Sequence, residues 1–364
     1  MSLSCCNDED VCIVCQNPLP PRAYDRVNRK LYICCGKEAC LPCTDAIIEN
    51  SKSGKIQCPN SNCGKPIPHT KEERFVLAQQ MVDANETCYW AQNELANMYL
   101  NGADDGIVRS DCVANEGRFV DLMTLAADRR HHYAPAQISL GQYYYRQLTE
   151  SSGGGHPPFA KCDAFEHSRE LYLLAKDNKH LSANLLLGSL FHAVGDDAES
   201  IRYYKLGAEA GCNESSYYVG VYYQEVEKSW DLAIPCFERA AKNGRPDAQF
   251  ALSQALMQQA KKQYMSWEIP GKSPVPRAMF WARRAVATEE ESLSPSSSSN
   301  GLAHYYLTQM INLMRIRCAG CDAIDEDGFE KKCSKCKASF YCSKECQKRH
   351  WRAGHKTDCC DAYY

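Results

Sequence analysis

Between positions 318 and 359, eight sulfur- or imidazole-bearing side chains fall in four short-spaced pairs. They are Cys318-x2-Cys321, Cys333-x2-Cys336, Cys342-x3-Cys346 and His355-x3-Cys359. A Cys-x2-Cys turn aims both sulfurs at one ion, and an x3 pair sets donors at i and i+4 on one face of a short helix. Two tetrahedral zinc ions need eight soft or borderline donors, and thiolates with one imidazole meet that demand. His350, beside Trp351, competes with His355 as the imidazole. Spacing alone allows the pairs to be used in succession or interleaved.

A second series opens the chain: Cys12-x2-Cys15, Cys34-Cys35, Cys40-x2-Cys43 and Cys58-x4-Cys63. Of the 23 cysteines, 18 lie in residues 5–63 and 318–360. Clustering at both ends, with an odd total, fits metal modules better than a disulfide framework. Cys5, Cys6 and Cys360 lie outside both series.

The residues between the C-terminal pairs resemble the MYND finger: Phe340-Tyr341-Cys342, Cys346-Gln347, then Trp351 and His355-Lys356. The resemblance implies interleaved sites, with one zinc ion on Cys318, Cys321, Cys342 and Cys346 and the other on Cys333, Cys336, His355 and Cys359. It also implies docking of proline-containing peptides. The run from Cys35 to Cys43, with Cys58-Pro59, is similar to a RING finger over about residues 10–68. Lys37 stands in that family's histidine slot, and a protonated lysine cannot ligate zinc. Cys34 is the substitute, which gives an all-cysteine set of Cys12, Cys15, Cys34, Cys35, Cys40, Cys43, Cys58 and Cys63 for two further ions. The last pair is stretched from x2 to x4. The RING resemblance implies a shallow groove for a ubiquitin-conjugating enzyme, built from Val14 or Ile13 and Pro59, with Lys65 ordering the thioester-linked ubiquitin.

The stretch between the fingers must position them, and it repeats. Ala91–Tyr99, Ala136–Tyr144, Ala183–Gly188, Ser216–Tyr223, Ala248–Ser253 and a weaker copy, Ala303–Thr308, share one pattern. A small residue recurs at 96, 141, 188, 220, 253 and 308. Each copy is followed by a second amphipathic helix, most clearly from Trp230 to Asn243, with Ala233, Phe237, Ala240 and Ala241 on one face and Gly244 as the cap. These features resemble the SEL-one-like branch of the tetratricopeptide superfamily. The expected fold is mainly α, a helix-turn-helix repeat solenoid flanked by two small zinc-binding modules. The expected domains are 1–69 (RING-like), 70–84 (a connecting helix that Thr70 and Glu73 begin as a capping box), 85–316 (repeats) and 317–364 (MYND finger).

Partners follow from the same residues. Repeat arrays bind peptides or protein helices, and Tyr143, Tyr144, Tyr222 and Tyr223 are candidates for the binding face. The formal charge is −3 with every thiol neutral. Zinc-bound thiolates bring the loaded chain to about −10, which disfavours nucleic acid. The opening residues hold no secretory signal and no apolar run reaches the ~18 residues a membrane span needs, so cytosol or nucleus is expected and no membrane. No nucleophile elbow, phosphate loop or paired carboxylates are recognisable, and no methyltransferase sequence flanks the MYND-like finger. Two functions remain: a ubiquitin-protein ligase without a nucleophile of its own, and a non-catalytic adaptor with structural zinc at both ends.

Overall fold

Glycine inside a helix is unfavourable, so its recurrence at the small position implies a neighbour that needs the space. A computed structural model describes residues 12–17, 19, 29–32, 37–50, 57–59, 63, 67–68, 70–85, 87–101, 115–150, 162–263, 273–291 and 302–359. The chain divides into two compact units, Met1–Cys212 and Asn213–Tyr364.

The first unit opens with a hairpin of β1 (Arg29–Tyr32) and β2 (Lys37–Cys40), Arg29 opposite Cys40, followed by α1 (Leu41–Asn50). Helix α2 (Lys71–Ala84) starts where expected, with the Thr70 hydroxyl accepting from the Glu73 amide at 3.1 Å. Its buried Phe75 and Ala78 face the repeats, while Leu77 also packs on the small core around Cys12. Helices α3 (Tyr89–Asn101), α4 (Glu116–Ala127), α5 (Ala134–Glu150), α6 (Asp163–Asp177), α7 (Ala183–Ala193) and α8 (Asp197–Glu209) pack as successive antiparallel pairs.

The second unit continues the pattern with α9 (Asn213–Glu225), α10 (Trp230–Lys242), α11 (Pro246–Gln263), α12 (Val275–Glu291) and α13 (Leu302–Arg315). The C-terminal finger follows, with β3 (Lys331–Lys332) antiparallel to β4 (Phe340–Tyr341) and then α14 (Lys344–His350). Among the described residues no helix is long and apolar enough to cross a membrane.

Within three of the pairs an aromatic ring lies on the bare backbone of the small position. A Cβ on Gly141 would stand 2.5 Å from the Tyr172 ring, one on Gly188 2.5 Å from Tyr204, and one on Gly220 2.7 Å from Phe237. Four residues before the two tyrosines, Ser168 and Ser200 donate to the Gly141 and Gly188 carbonyls, each at 2.9 Å. The α11–α12 pair reverses the polarity: Ser253 occupies the small position and donates to the Ala278 carbonyl at 2.8 Å. Each hydroxyl is buried and bonded, which a buried polar group requires.

A second recurring device lies one residue after the opening alanine in two of the copies. Gln137 donates to the Ala127 carbonyl and accepts from the Asn178 amide, tying the end of α4 to the end of α6. Gln249 does the same between Ala241 and Thr288. The weak copy departs from the pattern: Thr308 is exposed, and α13 buries Ala303, Met310 and Met314 instead. The finger follows α13 in place of a second helix, and no ring covers Thr308 among the described residues.

Gly188→Ala should therefore destabilise the protein by about 1–3 kcal/mol through overpacking, although alanine favours the helix by about 1 kcal/mol. Gly117→Ala, where a Cβ would meet only the Asn115 side chain at 3.5 Å, should be neutral or stabilising. Urea unfolding of the two variants checks the opposite signs.

Candidate metal centres

Three Cys-x2-Cys turns in this chain share one backbone conformation. Residue i+4 donates to the carbonyl of the first cysteine: Gln16 to Cys12 at 2.9 Å, Asp322 to Cys318 at 2.8 Å and Lys337 to Cys333 at 3.0 Å. All three donors have positive φ (59°, 61° and 53°), the left-handed conformation that closes a tight turn.

The turns bring distant pairs together. Cys12, Cys15, Cys40 and Cys43 form one group; Cys318, Cys321, Cys342 and Cys346 a second; Cys333, Cys336, His355 and Cys359 a third. Donor atoms within each group lie within 4.8 Å of one another. In the second group the Cys318–Cys342, Cys321–Cys342 and Cys342–Cys346 sulfurs are 3.6, 3.6 and 3.5 Å apart. Cys333 and Cys359 sulfurs are 3.6 Å apart, and Cys336 Sγ is 3.6 Å from His355 Nε2. A tetrahedron with 2.3 Å Zn–S bonds has S–S edges of about 3.8 Å, whereas a disulfide requires about 2.05 Å. The donor sets and their spacing fit zinc, and both fingers' clusters indicate zinc binding.

The first and second groups are built alike. In each, a knuckle meets a strand end and a helix start, and the amide of the third cysteine points at the sulfur of the first: Cys40 to Cys12 at 3.3 Å, Cys342 to Cys318 at 3.4 Å. Ser343 caps α14, accepting from the Cys346 amide at 3.1 Å. Gly320 is obligatory in its knuckle, since a Cβ would lie 2.6 Å from the Cys346 carbonyl. Arg349 clamps that contact, donating to Gly320 O at 2.6 Å and to Cys346 Sγ at 3.5 Å.

His350 is excluded from the third group. Its Nδ1 bonds the Tyr341 hydroxyl at 3.0 Å, and its ring stacks on His355 at 4.5 Å. The competing imidazole is thus the support of the other. Arg283 of α12 was not singled out by the sequence, yet it donates to Cys336 O at 2.7 Å and Lys337 O at 2.8 Å. Burial lowers the pKa of its guanidinium. Nothing in its local sequence separates it from neighbouring Arg284. The signal is only tertiary.

The thiols cannot all ionise unaided. Burial raises Cys12 and Cys318, but the amides of Cys15 and Cys40, and of Cys342 and Gly320, outweigh it and bring them to about 6 and about 7. Cys333 falls to about 3, chiefly through the Cys336 thiol beside it. Their neighbours move up: Cys43 to about 12 by the Cys40 thiol, Cys342 to about 12 by Cys346, and Cys359 to about 11 by burial.

The remaining candidates are less assembled. Cys58 is buried with Cys12, Leu19 and Ala39, and Cys63 packs against them. Cys34, Cys35 and Lys65 lie outside the described residues, while Lys37 lies in β2. Val14 is 42% exposed beside the first group and Pro59 is half-buried. Tyr143, Tyr144, Tyr222 and Tyr223 are all half-buried, each pair packed edge to face. His131 stacks on Tyr89, His132 bonds Asn178, His180 accepts from the Ser182 amide and His192 faces Asp197. None of these histidines joins a candidate metal group among the described residues.

Removing an outer-shell partner typically weakens a metal site by about 10–100-fold. Arg349→Ala should do so at the Cys318 group alone, and Arg283→Ala at the Cys333 group alone. Stepwise zinc competition against a chromophoric chelator should show one weakened step in each variant and two in the double variant.

No curated protein matches the chain. Similar solved structures include a protective antigen of uropathogenic Escherichia coli with an SLR fold, at 19% identity and TM-score 0.48, covering 79% of this chain and 50% of that one. This chain thus spans half the length of that antigen's. A Sel1 repeat protein from Oxalobacter formigenes gives 19% identity and TM-score 0.42, covering 66% and 88%. An immunity protein from Pseudomonas aeruginosa gives 18% and 0.32, covering 65% and 72%. Residues 313–359 match the family model of the MYND finger, and the C-terminal module of this chain is a MYND finger.

Proposed function

We propose that this chain is a zinc-stabilised interaction scaffold that works as a RING-type ubiquitin-protein ligase in the cytosol or nucleus. Residues 1–69 form the conjugating-enzyme module, 70–84 a connecting helix, 85–316 the substrate-selecting repeats and 317–364 a peptide-docking finger. Four zinc ions are held by the sixteen residues of the two series, with Cys34 and Cys35 completing the pair Cys58 and Cys63.

The observation that supports the ligase reading is the exposed Val14 beside the four-thiol group. A side chain needed only to cover the metal would be buried. Val14 instead offers apolar surface at a rigid knuckle, as a groove for a conjugating enzyme requires. Lys65 orders the thioester-linked ubiquitin, and the repeats bring the acceptor lysine near. Transfer then rests on proximity and restricted motion, and no covalent intermediate forms on this chain. The Lys37 substitution and the stretched Cys58-x4-Cys63 pair favour a second reading, an adaptor with structural zinc only.

Autoubiquitination against a panel of conjugating enzymes separates the two. In the ligase reading Val14→Ala lowers chain formation by about tenfold, the usual scale for a central interface residue, while leaving the metal content unchanged. Chains that never form, or that ignore Val14→Ala, leave the adaptor. Elemental analysis should return about four zinc ions per chain.

A further inference from the structure

Helix α13 carries two apolar faces. Ala303, Met310 and Met314 are buried. At 100° per residue, Leu302, Tyr305 and Leu313, with Ile316 just past the helix end, fall within an arc of about 80° on another side, where Gln309 is the polar member. All four are exposed, Leu302 and Tyr305 at 62% each. Beyond the helix end the stripe continues onto the finger. Asp325 donates to the Ile316 carbonyl at 2.9 Å, and Arg317 bridges Ile324, which is 75% exposed.

The repeat register says what such a face is shaped for. Aligning Thr308 with Ser253 puts Tyr305 where the preceding copy has Phe250. Phe250 packs against α13, the first helix of the next copy: the Tyr306 ring meets it edge to face at 5.2 Å. Tyr305 has no such cover among the described residues. The stripe is about 21 Å long, enough to seat a helix of about 14 residues.

Its rim has a sign. Asp322, Glu326, Asp327 and Glu330 are exposed, and Asp325 is half-buried. Arg317 is bound to Asp322 at 3.0 Å, Arg315 donates to the Asp327 main-chain oxygen, and Lys331 donates to the Cys342 carbonyl. No described basic side chain pairs with Glu326 or Asp327. A guest helix with Lys or Arg at that end complements the rim.

We propose that the face formed by Leu302, Tyr305, Leu313, Ile316 and Ile324 docks an amphipathic helix of another protein, with its basic end against the 322–330 loop. It continues the array by one helix and uses none of the metal-group side chains.

The test uses the full zinc-loaded chain and two fluorescein-labelled 18-residue amphipathic peptides. Both carry Leu at i, i+3, i+4 and i+7; one bears Lys and Arg at one end and the other Glu. The basic peptide should bind at micromolar concentration, at least about tenfold tighter than its acidic twin. Tyr305→Asp should weaken it about 30-fold. Glu326→Lys with Asp327→Lys should erase the preference. Absence of saturable binding by the basic peptide below about 100 µM, or binding indifferent to Tyr305→Asp, overturns the proposal. So does a wild-type dimer that Tyr305→Asp disperses, which would assign the face to a second copy. A fall of more than about 4 °C in Tm on Tyr305→Asp would mean that this chain already covers the face, and also overturns it.

Discussion

Four sulfur atoms held within 4.8 Å of one another repel once they ionise, and only a cation between them removes that repulsion. The thiol pattern displays the conflict. One member of each group is drawn down by amides or a neighbouring thiol (Cys12, Cys318, Cys333), while Cys43, Cys342 and Cys359 are pushed up, by the Cys40 thiol, by the Cys346 thiol and by burial. A divalent ion turns mutual obstruction into shared coordination. The N-terminal module depends on this most, because its described buried core is Cys12, Leu19, Ala39 and Cys58. So few side chains cannot offset the entropy of ordering the chain.

The second finger is stabilised in another way as well. Within the second unit, its Cys333, Cys336, Phe340 and Tyr341 belong to the same core as Ala282, Met310 and Met314 of the helices. Arg283 fixes two knuckle carbonyls from α12, and Phe329 donates to the Arg315 carbonyl at the end of α13. The finger thus closes the end of the array where a partner helix is missing. The finger meets α13 through Met310 and Met314, and Thr308 stays exposed.

Much of this was legible in the residue types. Cysteine spacing announces the knuckles, and glycine at 141, 188 and 220 announces close helix approach, because each has a short-range physical signature. The interleaved grouping was not readable from spacing, since Cys12 meets Cys40 only through the hairpin between them. The roles of His350 and Arg283 were hidden for a related reason. One acts by stacking behind the imidazole that could reach the metal group, and the other donates to main-chain carbonyls from 53 residues away. The buried glutamines at 137 and 249 were visible only as polar letters in an apolar repeat, and their carbonyl partners belong to the preceding helix.

Exposure sorts the three groups in a physically sensible way. A zinc ion on four thiolates carries −2, and one on three thiolates and a neutral imidazole carries −1. Charge is costly to bury in proportion to how little compensates it. Both four-cysteine groups keep a sulfur-bearing residue at the surface, Cys15 in one and Cys321 in the other, and the latter adds the Arg349 guanidinium. The group containing His355 has all four members buried. The histidine therefore does more than supply a nitrogen. By lowering the charge of its site, it lets that site sit inside the shared core, and the helices and the finger can be joined without a large uncompensated charge between them.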